Sequence, residues 1–579
     1  GVSVEAARAE ATVLGTQIER AHPERNALRP RGRPLQQQVS GRFRVALLVL
    51  SGAVGLVMLI VCANLSNLQL ARMARRQKEI AIRAALGAGR GRLIRQMLTE
   101  SLVLAGCGAL LGLMLAHLAT QTLARLDTFS IPLLTALQVD ATVLAFTAAV
   151  AGVTGVLFGV IPAMQVRTRT LHTSLKDSTR GSSSGPKQSW IRGGLVVSEI
   201  ALACVLLVGA GLLIRSFMQM LDTDLGFQPE NVAALRIDPG AAYPDQARRS
   251  VYYTEVLQRV GQVPGILTAG LSDTLPLDGS SSWAIRGKGQ TFAPGKYPEG
   301  FVRQVTEGYL QTAGIAVRDG RNFSERDNMS SEPVVIVNET LARTLWPGEN
   351  PLGKFMHSEG IFNTVPARRV VGVVADVRHR SMEQTAGCEF YLPLRQARGN
   401  TAVQLVVRST LPVSSLSSAV RATLKPLQPN LAANEWRLFE DLVDRAASPR
   451  KFVSTLLGGF SAFALILASL GIYAVIAYSV SQRSQEFGIR MAIGASSGDL
   501  RNQVLLQTLR LAAAGVAIGA VASWMLARGM DALLFGVTAA DPATYLGMIV
   551  ILVTVALVAG YFPASRASRI DPMITLRAE

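Results

Sequence analysis

The stretch EIAIRAALGA at residues 79–88 recurs in altered form as EFGIRMAIGA at residues 486–495, 407 residues further along the chain. The same offset continues past the two copies. In the apolar run that follows each, it aligns GALLG at 108–112 with GVAIG at 515–519. A fixed offset maintained over such a length indicates a tandem duplication rather than a chance match.

Composition indicates that the duplicated unit lies in a membrane. The chain has 579 residues, of which 49% are apolar and only 17% charged. A bilayer-spanning helix needs roughly 20 apolar residues, and seven runs of about that length carry few or no charges. They lie near 45–66, 99–124, 141–165, 193–214, 454–480, 505–528 and 542–564. We therefore predict an α-helical polytopic membrane protein with seven spans in two tandem repeats.

The distribution of basic residues predicts the orientation of the chain. Basic residues are concentrated just after the first predicted span, between the third and fourth, after the fifth and in the tail, so these segments are expected to be cytoplasmic. The large polar region is then extracytoplasmic. Much of the formal charge of +18 is attributed to contact with the anionic inner leaflet of the bilayer. Nucleic-acid binding is not expected, because no soluble segment combines a basic face with aromatic residues.

The repeat and the spans together predict the domain boundaries. The second half has a span and a large outer domain before its last three spans, whereas the first half shows only the tail of such a domain. We therefore expect the sequence to lack a preceding span and most of a first outer domain. The predicted segments are a remnant of that first outer domain at 1–42, a first permease domain with three spans at 43–178, a cytoplasmic linker at 179–192, the first span of the second half at 193–215, an outer domain at 216–450 and a second permease domain with three spans at 451–579.

The outer domain is predicted to be mixed α/β. Strand-like runs such as VAALRI, VVIV, RVVGVVADV and VQLVV alternate with the helix-like segments QARRSVYYTEVLQRV and NETLARTLW. Turn signals such as PGENPLG separate them.

Enzymatic chemistry is not expected in this chain. The stretch GENPLGKF at 348–355 satisfies G-x-x-x-x-G-K, but Phe355 replaces the hydroxyl residue that would hold magnesium, so we interpret it as a turn. The four cysteines and five histidines form no metal-ligand pattern. No GxSxG motif accompanies the serines. We therefore expect no cofactor, no metal and no catalytic residue.

Several motifs in order resemble one known family. These are the repeated E-x-x-I-R-x-A-[LI]-G-A, the outer-domain stretches GYLQTAGIAVRDGRNFSERD, VVIVNETLARTLWPGENPLGK and VVGVVADVRHRSMEQ, and the closing PASRASRIDPMITLR. The chain resembles the MacB/FtsX-like ABC transporter permease superfamily and is most similar to the branch called acidobacterial duplicated orphan permeases. The resemblance implies a multi-pass protein of the bacterial inner membrane, with a MacB-like domain in the periplasm.

The resemblance also implies a role for the repeated peptide. In that family the segment between the second and third spans of each half is a coupling helix that contacts a cytoplasmic ABC ATPase, which binds and hydrolyses the ATP. The residues implicated are Glu79, Ile82, Arg83, Gly87 and Ala88 in the first half, and Glu486, Ile489, Arg490, Gly494 and Ala495 in the second.

Two functions are consistent with this family. One is a permease that transmits motion from a separate ATPase to periplasmic domains, for export of an unknown substrate. The other is a signal-transmitting scaffold that regulates a periplasmic partner with nothing crossing the membrane. A periplasmic adaptor or effector protein is a further partner type to expect.

Spacing gives a physical reading of the same residues. Within each copy the glutamate and arginine lie at i and i+4 on a helix, beside a short apolar stripe, and a glycine follows. The alternative is a basic helix on the membrane surface without a protein partner.

Three further features belong to the predicted spans. Glu199 is an intramembrane acid, a candidate relay group, although pairing with Arg192 near the inner face or snorkelling is the favoured interpretation. Gly108 and Gly112, and likewise Gly515 and Gly519, are expected to be close helix-packing sites.

Overall fold

The structure is a computed structural model. It describes residues 3–21, 44–68, 90–125, 140–164, 186–240, 243, 245–279, 281–292, 297–359, 366–396, 402–427 and 436–568. The chain divides into two compact units. One comprises Gly1–Arg42 and Met220–Ser448, and the other comprises Phe43–Gln219 and Pro449–Glu579.

Thirteen α-helices are assigned within the described residues. They are α1 (Val4–Ala21), α2 (Arg44–Leu68), α3 (Arg90–Arg125), α4 (Ala141–Met164), α5 (Pro186–Leu221), α6 (Gln246–Gly261), α7 (Tyr309–Ala313), α8 (Glu339–Leu345), α9 (Val413–Leu424), α10 (Phe439–Gln482), α11 (Ser484–Ala492), α12 (Ser497–Arg528) and α13 (Pro542–Ala567).

Six of these helices are long and apolar enough to cross a membrane: α2, α3, α5, α10, α12 and α13. Helices form there because a backbone in hydrocarbon must satisfy its own hydrogen bonds. The remaining predicted span, the third at 141–165, coincides with α4, whose fully described part, Ala141–Thr154, is shorter than a crossing. The predicted polytopic helical fold is confirmed, and the count of seven is approximate.

The core of the membrane unit is built around α5. In its most apolar stretch 56% of the residues are buried, whereas none are buried in the corresponding stretch of α3. Buried residues of α5 form one apolar cluster with residues from α2, α10, α12 and α13. The second-half spans and the first-half helix α2 therefore share a single core.

The other unit contains an eleven-stranded sheet. Its strands are β1 (Val232–Ile237), β2 (Ile266–Ser272), β3 (Ser281–Gly287), β4 (Glu299–Val305), β5 (Val317–Gly320), β6 (Val334–Asn338), β7 (Phe355–Glu359), β8 (Arg368–Val374), β9 (Glu389–Pro393), β10 (Val403–Ser409) and β11 (Trp436–Leu438).

The strand order is β11-β1-β10-β2-β4-β3-β7-β8-β6-β9, with β5 paired to β8. Because β9 also pairs in parallel with β4, six neighbouring strands close into a ring, in the order β4, β3, β7, β8, β6 and β9. Five strands lie outside the ring. Four of them, β11, β1, β10 and β2, pack against α6 and α9, and α8 packs into the core of the ring. The predicted mixed α/β fold is confirmed, since the strand-like and helix-like runs fall on β1, β6, β8, β10, α6 and α8.

A buried ionic cluster lies at the parallel pair of strands β4 and β9. The Nε of Arg303 lies 3.2 Å from Oε1 of Glu389. The Nε2 of His379 lies 2.7 Å from the same oxygen, and all three side chains are at most 2% exposed. Burial lowers the pKa of His379 below its usual value, and it outweighs the opposing attraction of Glu389.

The depressed pKa of His379 predicts acid sensitivity of this cluster. Below the unfolded-state pKa of about 6.5, the unfolded chain binds a proton that the buried imidazole does not. The contribution of the neutral, buried His379 to the free energy of unfolding is therefore fully present above about pH 6.5, and it decreases as the pH drops below that value. Hydrogen exchange of the β4 and β9 peptides in the full chain, corrected for intrinsic rates, should show protection falling between pH 7 and pH 5.

The matched variant His379→Gln removes the titrating group. Its β4 and β9 protection should depend less on pH over the same interval. An unchanged pH dependence in this variant would exclude His379 as the cause.

Candidate functional site

The second copy of the repeated peptide forms α11, a nine-residue helix between the spans α10 and α12. Phe487 is fully buried in the core of the membrane unit and anchors the helix there. At the other end, Ser496 and Asp499 form a reciprocal capping box that starts α12. Both ends of the short helix are thus tied to the spans beside it.

Charged residues follow one side of α11. Arg483 donates to both carboxylate oxygens of Glu486, at 2.8 and 3.1 Å. Arg490 lies 2.7 Å from Glu486 across one turn and also donates to Gln503 at 2.9 Å. The hydrogen bond from Arg483 is the main cause that lowers the pKa of Glu486. The predicted i, i+4 pair is confirmed, and Arg483 adds a second cation that was not predicted.

Two isoleucines of α11 and its C-terminus project away from the core. Ile489 is 43% exposed and Ile493 is 81% exposed. An exposed apolar side chain of this size is a contact available to a bilayer surface or to a protein. The segment therefore exposes two apolar side chains, Ile489 and Ile493, beside its charged face.

Gly494 ends the segment, as the sequence predicted. Its φ of +105° lies in a region that side-chain-bearing residues rarely adopt. The turn lets the N–H of Ala495 donate to the carbonyl of Arg490 at 2.9 Å, and the N–H of Gly494 donate to Met491 at 3.1 Å. The glycine therefore sets the angle between the short helix and α12.

The first copy of the peptide cannot be compared in the same way. Glu79, Ile82, Arg83, Gly87 and Ala88 lie outside the described residues. Their coupling role stays a prediction.

The four candidate packing glycines divide into two pairs. A Cβ at Gly515 would lie 2.7 Å from Ile200, and one at Gly519 would lie 2.5 Å from the Cβ of Cys204. Both glycines therefore let α12 approach α5 closely, as predicted.

Gly108 and Gly112 require a correction. A Cβ at either position would meet no atom within 4 Å, so within the part of the chain that the structure describes no helix packs against these two glycines. Their helix α3 turns an exposed surface outward, including Leu110 and Leu111. A GxxxG pattern permits close approach only where a second helix is present.

Glu199 lies fully buried in α5 but has a different partner from the one predicted. Asn67 of α2 donates to it at 3.4 Å. The guanidinium of Arg192 instead stacks over the ring of Tyr478 at 3.8 Å. The sequence does contain a signal for this contact, because Asn64 and Asn67 are amide residues one turn apart in a mostly apolar run.

The P-loop-like stretch is a turn, as interpreted from the sequence. Lys354 forms an ion pair with Glu349 inside the loop, and Gly353 donates to Val370 of β8 at 2.9 Å. These contacts hold the loop against the sheet as part of its fold. Among the described residues, no group of histidine, cysteine or carboxylate side chains is arranged to hold a metal ion.

Comparison with protein families matches most of the chain. The family described as FtsX-like permease C-terminal matches residues 51–171 and again 458–572. The family described as MacB-like periplasmic core domain matches residues 194–424. The two FtsX-like matches correspond to the two copies of the sequence repeat.

Individual relatives share lower identity. The macrolide export ATP-binding/permease protein MacB of Sodalis glossinidius is 27% identical over 48% of this chain and 43% of its own length. The pyoverdine export ATP-binding/permease protein PvdT of Pseudomonas putida is 26% identical over 45% of this chain and 40% of its own. The uncharacterized ABC transporter permease YknZ of Bacillus subtilis is 22% identical over 48% and 70% respectively. The chain thus spans less than half the length of the first two.

The contrast between the two glycine pairs gives a matched test. Gly519→Leu should destabilise the membrane unit by about 1–3 kcal/mol, because the new side chain has to displace Cys204 and α5 backbone. Gly112→Leu adds the same side chain where there is open space and should have little effect. Thermal unfolding in detergent, followed by tryptophan fluorescence, measures both. Equal melting temperatures for the two variants would contradict the close α5–α12 contact.

Proposed function

Because the chain belongs to the superfamily of ABC transporter permeases that combine FtsX-like and MacB-like domains, we propose that it transmits motion from a separate cytoplasmic ATPase to its periplasmic domain. The purpose of this motion is the export or extrusion of a substrate. In this proposal the chain is the permease component, and ATP hydrolysis is assigned to the ATPase.

The geometry of α11 is the observation that supports this proposal. A helix that serves as a docking element needs exposed contacts, and it needs a rigid connection to whatever it moves. Ile489, Ile493 and the Glu486–Arg490 pair supply the contacts. The buried Phe487 and the capping box at Ser496 supply the connection, because they join α11 to the core and to α12. A push on the helix would then reach the spans.

The exposed ion pairs are suited to recognition more than to stability. A surface pair at i, i+4 contributes only about 0.2–0.5 kcal/mol to a helix. The arrangement of Arg483, Glu486 and Arg490 nevertheless fixes where the positive charges point. A complementary acidic rim on the ATPase would set the orientation of docking.

The energy source is proposed to lie in a partner. The relatives MacB and PvdT carry ATP-binding in their names, but the matched region covers less than half of each. The stretch at 348–355 is a turn of the sheet. ATP is therefore assigned to a partner subunit, and α11 together with the first copy at residues 79–88 is assigned to its two contact sites.

For the substrate, only a chemical class is proposed. The relatives are named for export of a macrolide and of pyoverdine. By analogy the proposed cargo here is a molecule too large or too polar to cross the bilayer unaided. A periplasmic adaptor that receives it is part of the same proposal.

The docking role of α11 is tested with two variants. Arg490→Glu should weaken association with an ABC ATPase, because it reverses a charge at the contact. Ile493→Ser should weaken it as well, at little cost in folding, because that side chain is mostly exposed. Two measurements check this. The first is co-purification from native membranes, with the ATPase identified by mass spectrometry. The second is the stimulation of ATP hydrolysis by the transported substrate.

Arg528→Glu is the matched control, since it makes the same charge change at the opposite end of α12. It should leave ATPase association at the wild-type level. Full association in an Arg490→Glu, Ile493→Ser double variant would reject the docking role. Retained association with a periplasmic partner, and no transport, would favour the signalling scaffold.

A further inference from the structure

The first-half helix α2 meets the second half through two asparagines. Asn64 donates through Nδ2 to the backbone carbonyl of Leu467 in α10, at 2.8 Å. Asn67 donates to Oε1 of Glu199 in α5, at 3.4 Å. Asn67 is 4% exposed and Glu199 is 0% exposed. A polar contact between the halves is thus buried inside the membrane unit.

Gly471 of α10 makes room for this contact. A Cβ at that position would lie 1.9 Å from Oε2 of Glu199 and 2.7 Å from Oδ1 of Asn64. Even alanine would collide with the carboxyl group. The missing side chain leaves the space in which two oxygens, one from each half, approach the same point.

These oxygens need a proton between them. Among the described residues, Oε2 of Glu199 accepts no hydrogen bond, and no ion pair includes this side chain. An uncompensated carboxylate in a bilayer is costly, and an ionised Oε2 near a second acceptor oxygen would be repelled by it. A neutral carboxylic acid would resolve both problems, because its O–H could donate to Oδ1 of Asn64 while Oε1 accepts from Asn67.

The contact is asymmetric with respect to the sequence repeat. At the offset of 407 residues, Asn64 corresponds to Gly471 and Asn67 corresponds to Ala474. The residues of the two halves that meet at this crossing are therefore equivalent in the repeat but different in chemistry. If one second half paired with another second half in this way, Gly471 would replace Asn64 and Ala474 would replace Asn67. Glu199 would then be buried with no amide partner.

We propose that Glu199, as a neutral acid, together with Asn64, Asn67 and Gly471, forms a polar lock that makes the second half specific for the first half of the chain. The partner that this surface fits is a transmembrane helix carrying two amides one turn apart. A second copy of the second half lacks them and is rejected. Single buried polar residues fix partner choice in coiled coils by the same penalty on an unpaired polar group.

The lock is tested in the full chain by cutting the connection between the halves. A protease site is placed in segment 165–185, which joins α4 to α5, and each end of the chain carries a different tag. After cleavage in mild detergent, the fraction of the N-terminal fragment retained on the C-terminal tag is measured as the temperature rises. The uncut protein gives the reference for folding.

Two variants should lose the association. Glu199→Ala removes the acid, and the double variant Asn64→Gly, Asn67→Ala gives the first half the residues of the second half. Each should lower retention roughly tenfold, the effect of losing buried polar contacts between membrane helices. Glu199→Gln should retain the fragment as the wild type does, because an amide N–H replaces the acid O–H.

Matched controls lie next to the lock. Ser66→Gly tests the effect of a glycine in α2, since among the described contacts the Ser66 hydroxyl bonds only to Cys62 of its own helix. Ser198→Ala tests the effect of an alanine in α5, where the Ser198 hydroxyl bonds to Leu195 of the same helix. Both should retain the fragment. Wild-type retention in the Asn64→Gly, Asn67→Ala variant would overturn the specificity claim. Release of Glu199→Gln to the same extent as Glu199→Ala would overturn the neutral acid.

Discussion

The burial of α5 among the other spans is the contact on which the membrane unit depends. Lipid is as apolar as leucine, so helices in a bilayer gain little from hiding apolar surface and associate through close packing and hydrogen bonds. Helix α5 uses both. Gly515 and Gly519 bring α12 onto Ile200 and Cys204. Beyond that contact, Ser216 of α5 accepts from Arg450 at 3.2 Å and from the N–H of Phe535 at 2.7 Å.

The helix α11 inherits its position from this packing. Its anchor, Phe487, belongs to the same core cluster as the buried residues of α5. A displacement of α11 would therefore act on a packed interior, which transmits strain because it has few voids. The exposed residues of α11 are free to contact a partner, since none of them is needed to hold the core together.

Much of the fold could be predicted from the sequence because the signals were local or periodic. The apolar runs, the 407-residue repeat, the strand-like segments of the outer domain and the helix-ending Gly494 each depend on nearby residues. Other features depend on which element lies opposite. Gly108–Gly112 and Gly515–Gly519 are the same pattern, yet among the described residues only the second pair has a helix against it. The sequence offered Arg192 as a partner for Glu199 by proximity, whereas Asn67 lies 132 residues away. The cluster of Arg303, His379 and Glu389 was missed for the same reason.

Motion relayed from α11 to the periplasmic domain is the central claim, and it is tested most directly by hydrogen exchange on the complex with its ATPase. Exchange in peptides of the sheet, β1 to β11, is compared with and without ATP, in the wild type and in Ile493→Ser at saturating ATPase. The account predicts an ATP-dependent change in the wild-type sheet that is lost or much reduced in the variant. An equal change in both proteins, or none in either, would contradict it.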